Sequence, residues 1–145
     1  MHYKPPKPPL VIKSAPRFGQ VYWVDFSISN VLPEFDDVHP GVVIRSGQKL
    51  DQPHLVIPMT TVDQTGNVYA HRMAANPNPK APSRMSWVVC NHLYTVASER
   101  LRPMRNRFDN PVFPTVSAAD MREIGKLVRR ALHRILEASL SVSRD

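Results

Sequence analysis

The chain carries one cysteine, Cys90, and only five glycines among 145 residues. A single cysteine excludes an intrachain disulfide and fits a reducing cytoplasm. No G-x-x-x-x-G-K-[ST] or G-x-G-x-x-G run is present, so the phosphate cradles of nucleotide-binding loops are unsupported. No apolar stretch approaches the roughly 20 residues of a membrane span. Met1 to Pro9 is rich in Lys and Pro without an apolar segment, unlike a secretory signal. The histidines (His2, His39, His54, His71, His92 and His133) show neither H-x-x-x-H nor H-E-x-x-H spacing. No metal or other cofactor is therefore expected. Acidic residues are scarce: 12 Asp and Glu stand against 19 Lys and Arg, giving a net charge of +7. Such a surface favours polyanions or an acidic partner, although basic small proteins without such partners are common.

Proline, by contrast, is abundant at 15 residues. It argues for short strands and fixed turns. Residues 1–17 form a Pro/Lys-rich arm expected to be polyproline II-like, followed by one domain over 18–145. Within the domain, Phe18 to Phe26 predicts a central strand with large side chains on both faces. Asp25 in it is expected to accept backbone N–H groups of the next turn. A long loop, Ser27 to Val38, carries Glu34, Asp36 and Asp37. Gly41 to Arg45 and His54 to Met59 predict buried strands, as does Ser86 to His92. Val68 to Ala70 and Leu93 to Val96 predict shorter ones. A helix is expected from about Ala118 to Ser139, capped by Ser117, with Met121, Ile124, Leu127, Val128, Ala131, Leu132, Ile135 and Leu136 in one apolar stripe. Several short strands, long loops and one terminal helix predict a mainly β fold: a small, curved antiparallel barrel with a C-terminal α-helix.

Candidate chemistry centres on His39-Pro40. Proline restricts the residue before it, so His39 is held at a defined angle at the strand entrance. Histidine titrates near ~6.5 and can act as base or acid at neutral pH. The plain alternative is a half-exposed histidine closing a loop. Thr60 and Thr61 end a strand, where hydroxyls bond phosphate oxygens or, more commonly, local backbone. Arg100, Arg102, Arg105 and Arg107 form either a solvated basic loop or a phosphate-binding one. Cys90 lies in an apolar run, as a core residue would.

Four blocks taken in order resemble a known family: Gly19-Gln20-Val21-Tyr22-Trp23-Val24-Asp25-Phe26, His39-Pro40-Gly41-Val42-Val43-Ile44, Val56-Ile57-Pro58-Met59-Thr60-Thr61, and Cys90-Asn91-His92-Leu93-Tyr94-Thr95-Val96 leading to Glu99-Arg100-Leu101. Together they are similar to the MazF/PemK/Kid toxins of type II toxin–antitoxin systems, over about Phe18 to Leu140. The resemblance implies an SH3-like (CcdB/Kid-type) barrel, a homodimer, and cofactor-independent, sequence-selective cleavage of single-stranded RNA in the cytoplasm. It also implies an antitoxin whose acidic C-terminal tail occupies the RNA groove. It assigns catalytic roles to His39, Thr60 and Glu34, and RNA contacts to Thr61, Asn91 and Arg100. Arg45 joins these by position alone. The family usually has Arg where this chain has His39, and some members carry Arg and Asp where Val89 and Asn91 stand. Those departures leave two alternatives: a catalytically degenerate homologue that binds RNA or antitoxin, or a gyrase-targeting toxin of related fold.

Overall fold

A computed structural model describes residues 8–27, 37–134 and 137–138. The strands are β1 (Val21–Asp25), β2 (Val38–Arg45), β3 (His54–Thr60), β4 (Ala70–Arg72), β5 (Trp87–Val89), β6 (Tyr94–Val96), β7 (Leu101–Arg102), β8 (Met104–Arg105) and β9 (Pro111–Val112). Helix α1 spans Ala118–Ala131. The main sheet is antiparallel and runs β4-β5-β3-β2-β1-β7, with β6 also on β3, while β8 and β9 form a separate hairpin. The fold is thus mainly β with one C-terminal helix, as expected. Among the described residues no pairing joins the two ends, β4 and β7, so the strand path is open.

β2 and β3 carry β-branched runs because both of their faces are covered. On one face Val21, Val42, Ile57, Met59, Met104 and Ile124 form a core against which the helix packs. On the other, Tyr22, Val24, Phe26, Val43, Val56 and Leu101 form a second. Ile12 joins that second core, so the distal part of the N-terminal segment packs on the domain. β1 is interior, paired with β2 on one side and with the two-residue edge strand β7 on the other, and both of its faces are covered. Asp25 accepts the Ser27 N–H at 2.8 Å, as its position in the strand predicted. β2 begins at Val38, so His39-Pro40 lies inside the strand rather than in the loop before it.

Gly41 is required by close packing. A Cβ there would come 2.8 Å from Val24 Cγ2. The absence of that atom lets Val24 lie beside His39, its register partner.

The helix start is locked to the sheet. Ser117 Oγ accepts the Asp120 N–H at 3.2 Å and donates to Asp120 Oδ2 at 3.1 Å. The other carboxylate oxygen meets His71 Nε2 of β4 at 2.7 Å, and Asp120 is buried. Of the apolar stripe, Ile124 is buried, while Met121, Leu127 and Val128 are half-buried against the first core. α1 itself ends at Ala131, and beyond the Leu132 cap His133, Arg134, Glu137 and Ala138 are again helical, toward the expected end near Ser139. Ile135 and Leu136 lie outside the described residues. Asp120→Asn is expected to cost about 1–2 kcal/mol, seen as a fall of roughly 5 °C in Tm. An unchanged Tm would show that the His71–Asp120 contact does not anchor the helix.

Candidate active site

The C-terminal end of β1, the N-terminal end of β2 and the C-terminal end of β3 lie at one end of the sheet. Val24 pairs with His39, and Gly41 pairs with Pro58. Carried two residues further, the β2–β3 register falls on His39 and Thr60. Opposite residues on adjacent antiparallel strands share a face, with Cβ atoms about 5 Å apart. His39 and Thr60 therefore project from the face that carries Val43 and Val56. The observed β2–β3 pairing itself ends at Gly41–Pro58.

The two side chains differ in setting. His39 is half-exposed beside the Phe26 ring, with ring centroids 6.4 Å apart. Thr60 is only 6% exposed, and its Oγ accepts the Val62 N–H at 3.1 Å. That bond uses an acceptor lone pair. The hydroxyl proton has no acceptor among the described residues, which leaves the group able to donate.

Residues that the sequence reading passed over join the same face. Phe26 packs on Tyr94 with centroids 5.0 Å apart, and Tyr94 stacks on His92 at 6.3 Å. His92 Nδ1 lies 3.4 Å from the Tyr94 hydroxyl. Burial holds the His92 imidazole below its ordinary pKa, so it favours the neutral form. His92 stands in the turn before β6, so no strand alternation marked the pair in the sequence.

The other candidates separate. Arg100 reaches the same strand end: its Nη1 donates to the Asp25 carbonyl at 3.2 Å, and Asp25 pairs with Val38. Thr61 is exposed just past β3, and Asn91 is exposed in the turn after β5. Arg45 is six residues along β2 from His39, about 20 Å at strand rise. It lines a different concavity of about 990 Å³ with Arg17, Ser46 and His54. Glu34 lies outside the described residues. Arg102 and Arg105 line a cavity of about 390 Å³ with Trp23 and Lys80. There Arg102 Nη1 is fixed by the carbonyls of Glu99 at 2.7 Å and Leu101 at 3.0 Å. Cys90 is buried, and burial pushes its thiol up to about 12, so it carries no nucleophilic role. Among the described residues no cluster of His, Cys, Asp or Glu could hold a metal ion. No helix among them is long and apolar enough to cross a membrane.

Residues 17–132 match the family model described as PemK-like, MazF-like toxin of type II toxin-antitoxin system. The chain belongs to this toxin family. The match spans all four sequence blocks and every strand of the sheet. Among solved structures, the Mycobacterium tuberculosis toxin MazF-mt6 is similar in fold, with a TM-score of 0.53 at 13% identity. The alignment covers 79% of this chain and 96% of that one. No curated protein matches the sequence. Within the family frame, the end of the sheet that carries His39 and Thr60 is this toxin's candidate active site.

Proposed function

We propose that this toxin is a metal-independent endoribonuclease, an mRNA interferase that cuts single-stranded RNA in the cytoplasm and is neutralised by an antitoxin with an acidic C-terminal tail. The observation that carries the reading is that His39 and Thr60 stand at the same end of the neighbouring strands β2 and β3. An imidazole and a hydroxyl at neighbouring strand ends can address one phosphodiester.

The reaction is an internal transesterification. A base removes the proton of a 2′-OH, and the freed oxygen attacks the adjacent phosphorus. The P–O5′ bond breaks, and the departing oxygen takes up a proton. The products are a 2′,3′-cyclic phosphate and a 5′-OH. His39 serves as base or acid, and in its protonated form stabilises the charged phosphorane. Thr60 donates its hydroxyl proton to a non-bridging oxygen. Glu34 is the complementary proton-transfer group. Arg100 neutralises a flanking phosphate, and Thr61 and Asn91 contact the RNA beside the cut. Arg45 can meet only a remote nucleotide, given its distance along β2. A homodimer suits the apolar surface left exposed at Phe108 and Phe113.

Purified toxin incubated with unstructured RNA in the presence of a chelator is expected to yield 5′-OH and 2′,3′-cyclic phosphate ends. Intact RNA, or 5′-phosphate ends, would contradict the proposal.

A further inference from the structure

The sheet register extends the candidate site beyond His39 and Thr60. Thr60 pairs with Trp87 on β5, and Trp87 pairs with Arg72 on β4. Arg72, Trp87 and Thr60 thus form one row across three adjacent strands, on one face, and His39 lies on the neighbouring strand two residues beyond its last pair with β3. At about 4.8 Å per strand, Trp87 lies about 5 Å and Arg72 about 10 Å from the Thr60 position. Arg72 is exposed and Trp87 half-buried.

Trp87 has a further peculiarity. Its indole Nε1 is buried and has no hydrogen-bond partner among the described residues. An orphaned buried N–H is costly, and native proteins rarely keep one without a reason. Here the orphan donor sits one strand from the hydroxyl assigned to the scissile phosphate, with the exposed Arg72 side chain on its far side. Aromatic rings next to a cation are the means by which proteins hold single-stranded nucleic acid.

We propose that Trp87 and Arg72 form the subsite for the RNA nucleotide adjoining the cut. The Trp87 ring turns against that base, and its indole N–H gains an oxygen acceptor on the RNA. Arg72 neutralises the next phosphate. The cost of the unpaired N–H in the free protein is released on binding. This subsite deepens the endoribonuclease reading and rests on it for the position of the cut.

The test reads stability and binding in parallel. Trp87→Phe keeps a ring and removes the N–H. It is expected to raise the Tm by about 3 °C and to weaken binding of a non-cleavable 2′-O-methyl RNA oligonucleotide about tenfold. A purely structural tryptophan would lose stability and leave RNA affinity unchanged. Arg72→Gln, at an exposed position, is expected to keep the Tm and weaken binding severalfold. It should also lower the slope of log affinity against log salt by about 0.7. In cleavage, both variants should raise KM with little change in kcat. Unchanged oligonucleotide affinity in both variants overturns the subsite even if the toxin cuts RNA. Binding that depends on both residues in a toxin that cuts no RNA supports the subsite as an RNA site and removes the nuclease reading. A wild-type chain that binds no oligonucleotide overturns the subsite.

Discussion

His39→Ala is expected to slow RNA cleavage about 10²–10⁴-fold, the usual contribution of a positioned acid–base group, while moving the Tm by no more than about 2 °C. The two effects separate because His39 is half-exposed at the end of β2 and lies outside both apolar cores. The Phe26 ring beside it keeps its packing on Tyr94 after the imidazole is gone. Surface substitutions of that kind cost little stability. His39→Arg places a permanent cation where the family usually has one. It is expected to retain more activity than the alanine variant, because charge stabilisation of the phosphorane survives when proton transfer is lost. Single-turnover rates at saturating protein, with Tm measured on the same preparations, check both statements. A His39→Ala protein that cuts at the wild-type rate removes the imidazole from the mechanism.

The second large effect is on stability. His54→Ala is expected to destabilise the fold by about 3 kcal/mol, or roughly 10 °C in Tm. His54 opens β3 and is 1% exposed. Its Nδ1 accepts the Gly47 N–H at 2.9 Å, which puts the ring proton on Nε2, 2.8 Å from the Ser98 hydroxyl. Removing the ring leaves a cavity and orphans two buried polar groups. Burial also depresses the His54 pKa in the folded state, so the ring stays neutral there. In the unfolded chain it takes a proton near ~6.5. Below that pH the unfolded state binds more protons than the folded one, so stability falls as the pH drops. Above it, His54 adds no pH dependence. His92 shifts the same way, so the test is the difference between wild type and the His54 variant. Denaturant melts from pH 7 to pH 5 should show a steeper loss for wild type. Parallel curves would contradict the assignment of a buried neutral imidazole.

The elements legible in the sequence were those whose local pattern already expressed their burial. β2 and β3 showed as apolar β-branched runs because each is covered on two sides. The helix showed as a stripe with a capping serine. β7, β8 and β9 did not show. They are two-residue strands among Arg, Pro and Asn, too short to show a period-2 pattern, and β7 is held by the distant β1 rather than by propensity. The candidate site divides in the same way. His39 and Thr60 could be named because the order of four blocks resembles a toxin family. Arg45 followed His39 closely in sequence yet stands at the far end of the strand, since an extended chain carries six residues about 20 Å. Phe26, Tyr94 and His92 needed tertiary packing to come together. The Arg72–Trp87–Thr60 row needed the pairing of three strands, which no local spacing encodes.

A double-mutant cycle on cleavage tests the central claim most directly. Thr60→Val, His39→Ala and the double variant are compared with wild type in single-turnover rate on one mapped RNA. Groups acting together on one phosphodiester are strongly non-additive. The account predicts that the double variant is about as slow as the slower single one. Losses that simply multiply, or a Thr60→Val protein that cuts as fast as wild type, would contradict it.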